Sequence, residues 1–455
     1  MMRARGARSI YAISTFGIAV AVASCSSVRP SAPAAPVSAC VIGAAQPNSG
    51  DTLSVATTGL VDWAHAPVPT NNAERLAFAQ VYETLIDVDC EGHVLPALAA
   101  SWTLDATKSR ITLSLRKGAM FWTGQPVTAN DVIAAWRVTA AQSVPSARLA
   151  RAIANGTSVV DDNTLIVSLP DTAWMLLASP ALAIYKQQAT ARWPEGSGPY
   201  RIADQSAPGA FVLMPIASQS PYLASRRGPS GDPRDAIDAG SDVLVTDDPV
   251  AVSYANARNL IVVPLPWTRT YALAVPGGAR KIIQGDSASL ARRESLARDA
   301  VHVQARAAQS PYWWEAAPSC SATQDSLPVK AAELRSNRVV YRNDDPIARG
   351  LAERLVALDA RSVSAGLAPN DFAHTLRDGG ELAYVLDVPR VSLSSCRDVN
   401  ELWSAAPWLA SRADPGAQLV PLIDTRETAI LSRTRASPTV DWSGTLRFAQ
   451  KESRP

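Results

Sequence analysis

Residues 81–137 read VYETLIDVDCEGHVLPALAASWTLDATKSRITLSLRKGAMFWTGQPVTANDVIAAWR, and two periodicities alternate along them. From Ser101 to Arg116 the period is two. Ile111, Leu113 and Leu115 point one way while Thr112, Ser114 and Arg116 point the other, after a polar turn at Asp105–Ser109. That pattern predicts a hairpin with one buried face. Downstream, Thr128 and Asp131 have the spacing of a capping box, and Val132, Ala135 and Trp136 form one apolar stripe, so a helix follows. Upstream, Asn72 is placed to cap a helix carrying Phe78, Val81, Tyr82 and Leu85. Before it, Asp51–Val55 alternates like a strand and ends in a loop around Asp62-Trp63. A second hairpin is predicted from Val159-Val160, a turn at Asp161–Asn163, and Leu165-Ile166-Val167. Residues up to about 190 therefore read as an α+β module.

The chain then changes character. Val243-Leu244-Val245 is a short apolar strand, followed by Asp248-Pro249 as cap and first helical residue, then a strand from Leu260 to Val263. The pattern recurs at Val339–Tyr341, Asp345-Pro346, a helix bearing Ile347, Leu351, Leu355 and Leu358, and a strand from Leu382 to Leu386. Two strand–helix–strand units imply two α/β lobes with mainly parallel sheets. Such sheets place ligands beyond the carboxyl ends of their strands, so two facing lobes would make a binding cleft.

The first residues carry Arg3, Arg5 and Arg8, then an apolar run from Ile10 to Ala23 that closes on Val22-Ala23-Ser24-Cys25. The run is shorter than a bilayer span and reads as a signal-peptide core. Its end resembles the bacterial lipobox, which would make Cys25 the lipidated first residue of the mature protein. Ser26–Ser38, rich in Ser, Pro and Ala, reads as a flexible tether. Removing residues 1–24 leaves forty basic against 41 acidic side chains, a net of about −1, with no basic field for nucleic acid. No second long apolar run is present, and the length calls for at least two lobes. Four further cysteines, Cys40, Cys90, Cys320 and Cys396, favour two disulfides in an exported protein. Of three possible connectivities, Cys40–Cys90 with Cys320–Cys396 keeps one bridge in each half.

Between Val81 and Tyr200 six pieces stand in order. They are Tyr82-Glu83, Pro96–Trp102, Leu115–Gly118, Phe121–Gly124, Pro126–Val132 and, beyond, Gly196-Ser-Gly-Pro-Tyr200. Together they resemble the signature of family 5 extracellular solute-binding proteins, the peptide- and nickel-type receptors of ABC importers. The resemblance is clear over roughly residues 50–250 and returns from Val420 to Phe448. It implies a two-lobed, type II periplasmic-binding-protein-like α/β fold with an additional small α+β domain. The expected division is signal peptide 1–24; lipidated Cys25 and tether 25–48; lobe I from 49–62, 196–262 and 420–455; small domain 63–195; and lobe II 263–419. It also implies a lipid-anchored, extracytoplasmic receptor on the outer face of the cytoplasmic membrane. Such a receptor would be a monomer that delivers a small solute, with oligopeptide or dipeptide leading, to an ABC permease and its ATPase subunits. The alternative is an envelope lipoprotein that keeps the scaffold for a regulatory or assembly role.

Enzyme motifs are lacking: no Gly-x-Ser-x-Gly elbow, P-loop, dinucleotide fingerprint or His-Glu-x-x-His helix occurs. The four histidines are scattered, so no metal site and no cofactor are expected. The glycines of the six pieces serve turns, and Trp102 and Trp136 are expected in the core of the small domain. Ligand contacts are assigned by position. Asp387, past a strand end, could hold a cationic amine; in the family an acid near this point grips a peptide's amino end, and here Leu386-Asp387-Val388-Pro389 is its remnant. Trp63 follows the first strand, Trp267, Arg269 and Tyr271 fall at the crossing between lobes, and Trp403 and Trp408 flank the return. For each aromatic, core packing is the competing reading.

Overall fold

The structure is a computed structural model that describes residues 40–43, 51–105, 109–142, 147–168, 173–188, 193–203, 210–217, 220–226, 231–267, 269–277, 335–357, 362–389, 402, 405–410, 416–433 and 435–449. Cys25 and the leader, the tether, Cys320, Cys396 and Trp403 lie outside them. Among the described residues no helix is long and apolar enough to cross a membrane.

Three sheets organise the chain. The first has seven strands in the order Tyr200–Ile202, Val212–Pro215, Tyr222–Arg226, Thr52–Thr57, Val243–Thr246, Thr428–Leu431, Ile261–Pro264. The second has five, in the order Val363–Leu367, Arg338–Arg342, Ala383–Pro389, Arg269–Val275, Gln418–Thr425. A four-stranded antiparallel sheet, Ala99–Leu104, Arg110–Leu115, Thr164–Ser168, Thr157–Asp161, builds the small domain.

Both large sheets are mixed rather than mainly parallel. Thr52–Thr57 runs parallel to both its neighbours, as does Arg338–Arg342, but Thr428–Leu431 is antiparallel to both of its own. Arg269–Val275 is likewise antiparallel to Ala383–Pro389 and Gln418–Thr425. The reason is the crossing. Chain that passes from lobe I to lobe II in one strand must return in another, so the two strands that carry it run in opposite senses. The sequence reading also skipped a strand and a helix, Val363–Leu367 and Pro369–Asp378, between its second helix and Ala383.

Local chemistry explains the helices. Asn71, one residue before the expected cap, accepts the Glu74 N–H at 2.9 Å and starts Asn72–Val81; Leu85 lies beyond that helix. Thr128 and Asp131 form the expected reciprocal box at the start of Ala129–Ala141. Asp248 and Asp345 cap Pro249–Ala257 and Pro346–Val356, each followed by proline, whose missing N–H costs nothing at the first helical position. The small-domain core gathers Ile111, Leu113 and Leu115 from the predicted inner face with Leu165, Val167 and Trp136. Trp136 is fully buried, and its Nε1 donates to the Leu182 carbonyl at 2.9 Å, which satisfies the one polar atom of the ring.

One covalent tie fastens this domain to lobe I, and one close backbone approach braces lobe I itself. The Cys40–Cys90 disulfide is formed, as the sequence reading chose. The Gly196–Tyr200 turn passes against the end of Asn72–Val81, where Gly198 N–H donates to the Val81 carbonyl at 2.9 Å. A Cβ on Gly198 would lie 2.6 Å from the Val81 carbonyl group, so the motif's glycine is required by a close backbone approach.

Candidate functional site

The two crossing segments lie side by side. Leu265 N–H donates to the Glu427 carbonyl at 2.9 Å, Pro264 faces Thr428 in one lobe, and Arg269 faces Thr425 in the other. Across them the Arg426 guanidinium stacks 4.0 Å from the Trp267 ring centroid. Burial lowers the Arg426 pKa, and its Nε is buried with no hydrogen-bond partner.

Beside this crossing stand the carboxyl ends of strands from both lobes, and charged side chains collect there. In register, Tyr271 is opposite Asp387. The Arg269 Nε lies 3.2 Å from Asp387 Oδ1, an ion contact without hydrogen-bond geometry, since that oxygen has no hydrogen-bond partner. The Tyr271 hydroxyl, on a ring that is 1 % exposed, donates to the Asp345 carboxylate at 3.0 and 3.2 Å. The same carboxylate accepts the Ile347 and Ala348 N–H groups at the helix start. Arg342 is held by Asp344, Nη2 to Oδ2 at 2.6 Å. From lobe I, Asp247 acts on Arg269 and Asp387 through space, and Arg75 acts on Glu427.

Burial decides the electrostatics. It pushes the Asp387 carboxyl up to about 6, against the pull of Arg269 and with the help of Asp345 and Asp247. Burial also raises Glu427. For Arg269 the nearby acids, Asp387 first, outweigh burial and hold the guanidinium charged. The result is a compact patch of alternating charge at the junction of two lobes, with at least one carboxylate that titrates near neutrality. Such a patch recognises charged or zwitterionic groups.

Of the residues expected to touch ligand, Arg269, Tyr271 and Asp387 stand together here, and Trp267 sits at the crossing. Trp63 does not. It is 4 % exposed and packs on Phe78 at 5.1 Å, Trp193 at 6.1 Å and Phe211 at 6.5 Å in the lobe I core. Trp408, 1 % exposed, donates its Nε1 to the Leu376 carbonyl and packs on Tyr384 under the second sheet. Both belong to cores because each lies on a short helical segment, Trp63–His65 and Pro407–Ala410, that turns its ring inward. The sequence reading missed Arg75, Asp247, Asp344 and Glu427 as cleft groups. A signal was present: Thr246-Asp-Asp-Pro249 and Asn343-Asp-Asp-Pro346 repeat one motif at a strand end in each lobe, and only the second acid of each is used as a cap.

The described histidines, His65, His93 and His374, act as local side chains, and His302 lies outside the described residues. His65 Nδ1 is 2.8 Å from the buried Glu74 carboxylate, which also accepts from Asp62 N–H and Thr70 and so ties the loop after the first strand to its helix. Asp89, Glu91 and His93 bring three ligand-type atoms within 4.8 Å on an exposed turn. Asp89 there accepts from Glu91 N–H, His93 N–H and the His93 ring, a turn-forming arrangement.

Residues 93–214 match the model of the middle region of bacterial extracellular solute-binding proteins, family 5. A protein of Sinorhizobium fredii described as a probable peptide ABC transporter periplasmic-binding protein is 28% identical over 167 residues. That match spans 33% of this chain and 30% of the relative. Among solved structures, a dipeptide-binding protein of Pseudoalteromonas sp. SM9913 in complex with Met-Leu superposes with a TM-score of 0.61 at 14% identity, covering 87% of this chain and 98% of that one. NikA of Brucella suis in complex with Fe(III)-EDTA gives 0.59 at 16% identity with the same coverage. OppA of Haemophilus influenzae with a bound nonapeptide gives 0.58 at 14%, covering 89% and 100%. These likenesses carry the fold: two lobes of the periplasmic-binding-protein type with the small domain added. With the signature pieces of the small domain and the matched middle region in agreement, residues 93–214 are similar to the family 5 bacterial extracellular solute-binding proteins, and the chain as a whole shares the two-lobed fold of these solved structures.

Proposed function

We propose that this protein is the lipid-anchored receptor of an ABC importer. It captures a small solute in the interlobe cleft and presents it, as a monomer, to a membrane permease driven by ATPase subunits. The observation that carries the reading is the charged patch at the crossing, where Arg269, Tyr271 and Asp387 of lobe II face Asp247 of lobe I. A ligand that bridges the lobes favours the closed arrangement by its differential contacts, and the two crossing segments are short enough to act as a hinge. A peptide leads as solute: its amino end suits Asp387 and its carboxylate suits Arg269 or Arg426. Cys25 would hold the protein at the outer face of the membrane.

Native mass spectrometry of the exported protein, before and after mild unfolding, tests this. Added mass that leaves on unfolding, and fragments as a peptide, is the expected result. Bare protein that also ignores peptide and metal-chelate libraries would refute it. The second reading, a scaffold kept for envelope assembly or regulation, draws support from the 3.2 Å Arg269–Asp387 contact, which puts a protein cation where a ligand amine would sit. Bare protein in that experiment is its expected outcome.

A further inference from the structure

The two lobes carry one motif at a strand end, Thr246-Asp-Asp-Pro249 in lobe I and Asn343-Asp-Asp-Pro346 in lobe II, and use its acids differently. In both, the second acid caps the helix that follows. Asp248 accepts the Val250 N–H at 2.7 Å, and Asp345 accepts the Ile347 and Ala348 N–H groups. In lobe II the first acid, Asp344, is answered by Arg342, two residues before it. The matching position in lobe I holds Val245, which cannot answer Asp247. Among the described residues the half-buried Asp247 carboxylate makes no hydrogen bond and no ion pair. Such an acid at the junction of two lobes is costly unless a cation comes to it.

The strand register shows which cation stands near. Thr246 pairs with Thr428, so the next residue, Asp247, is level with Glu427. Arg269 pairs with Thr425, two residues before Glu427, and Tyr271, two residues after Arg269, is opposite Asp387. In extended chain, residues two apart share a face, as do residues directly opposite each other. Asp247, Glu427, Arg269 and Asp387 therefore stand on one face of the crossing. Thr428–Leu431 lies between the strand that ends at Thr246 and the strand that ends at Pro264 and runs on to Arg269. Asp247 and Arg269 thus flank one crossing segment from its two sides, roughly 10–12 Å apart at the backbone. An extended arginine and an aspartate side chain bridge that span. The electrostatics agree, since Asp247 acts through space on Arg269, Asp387 and Glu427 alike. Glu427 is already engaged by Asn72 and Arg75. Arg269 has Asp387 at 3.2 Å, without hydrogen-bond geometry. One guanidinium is therefore shared between a lobe II acid that holds it loosely and a lobe I acid with no partner.

We propose that Asp247 is a positioning residue for solute capture, the lobe I receiver of Arg269. When a solute's ammonium takes Asp387, the guanidinium turns to Asp247, and the new ion pair joins the two lobes. The cleft then selects solutes that carry a cation, because a neutral or anionic one leaves Arg269 on Asp387. This selection rests on the receptor reading given above. The ion pair does not, because any loss of the Asp387 charge releases Arg269.

Small-angle X-ray scattering of the ligand-free parent, Asp387→Asn and the double variant Asp387→Asn/Asp247→Asn tests the pair. Asp387→Asn should shift to a smaller radius of gyration than the parent, and the double variant should return to the parental value. A parental radius in Asp387→Asn, or a double variant as compact as the single one, would overturn the proposal. Titration calorimetry with the dipeptide Met-Leu and its N-acetyl form tests the selection. Met-Leu affinity should fall on the order of tenfold or more in Asp247→Asn, as for a lost charge-assisted bond, and recover in Asp247→Glu, a rescue that tracks the charge. N-acetyl-Met-Leu, which has no ammonium, should bind the parent more weakly than Met-Leu and be indifferent to Asp247→Asn. Parental Met-Leu affinity in Asp247→Asn would also overturn the proposal. A parent that binds no peptide refutes the peptide reading instead, and scattering alone then decides the Arg269–Asp247 pair.

Discussion

Replacing Asp387 with asparagine should stabilise the protein at pH 7.5, although it deletes one partner of an ion pair. The carboxyl has its ordinary value of 3.8 in the unfolded chain and about 6 in the folded one, chiefly because burial penalises the anion. A raised acid pKa means that the native state binds more protons than the unfolded state between those values. Stability therefore falls as pH rises through the window from 3.8 to about 6, and stays reduced above it. The side chain is 21% exposed, so the conversion stands as an order of magnitude, about 3 kcal/mol at 1.36 kcal/mol per tenfold. Asparagine resembles the protonated acid and removes the penalty. The variant should gain up to about 3 kcal/mol at pH 7.5, roughly half that near pH 5, about 0.5 kcal/mol at pH 4 and almost nothing by about pH 3. Urea unfolding of both proteins at several pH values, followed by tryptophan fluorescence, measures the difference. A variant less stable than the parent at pH 7.5, or a difference that does not change between pH 4 and 7.5, would refute the reasoning. It would show that the attraction of Arg269 outweighs burial.

Four further outcomes follow from named contacts. Replacing Cys40 and Cys90 by serine opens a bridge between residues 50 apart and should cost about 4 kcal/mol in urea unfolding, by the chain-entropy estimate; an unchanged midpoint would contradict it. Trp136→Ala empties a fully buried site and leaves the Leu182 carbonyl unanswered, an expected loss of about 3–5 kcal/mol by the same assay. Gly198→Ala pushes a methyl to 2.6 Å from the Val81 carbonyl group and should cost about 1–3 kcal/mol, seen as a lower thermal midpoint. Thr128→Ala breaks the capping box before Ala129–Ala141 and should cost only about 1 kcal/mol, so an effect above about 3 would mean that Thr128 has another role.

The fold was legible wherever the signal was local. The alternation of Ile111, Leu113 and Leu115, the Thr128–Asp131 box and the two Asp-Pro helix starts each fix a short piece by backbone geometry within a few residues, and each is present. What escaped was weakly patterned or distant. The strand Val363–Leu367 reads VSAGL, and a small or polar residue at every second position leaves it without a strand signal. The antiparallel return of Gln418–Thr425 beside Arg269–Val275 joins residues about 150 apart, and no local rule states which strand a crossing segment will meet. The cap before Asn72 slipped by one because Asn71 and Asn72 offer the same side chain, and only the Glu74 N–H decides between them.

The site was harder, because it depends on which face of an element meets the other lobe. Trp63, Trp267 and Trp408 look alike in sequence, each beside a strand or a crossing. Two fill cores and one lies at the hinge. The acids were similarly ambiguous. Asp248 and Asp345 are used at helix starts, which leaves Asp247 to act across the cleft and Asp344 to hold Arg342. Asp387 is expected just past a strand end but lies within Ala383–Pro389, and its neighbour is invisible in sequence: Arg269 comes from a strand more than a hundred residues earlier, brought in by antiparallel register. That pairing bears on how a solute would be held. Burial keeps Asp387 only weakly acidic despite Arg269, so the contact is a shallow one, and Arg269 already feels Asp247 and Glu427. A ligand ammonium entering at Asp387 would therefore not strand the arginine. It would pass Arg269 toward the lobe I acids, and the closing of the lobes would then be coupled to the arrival of the ligand's charge.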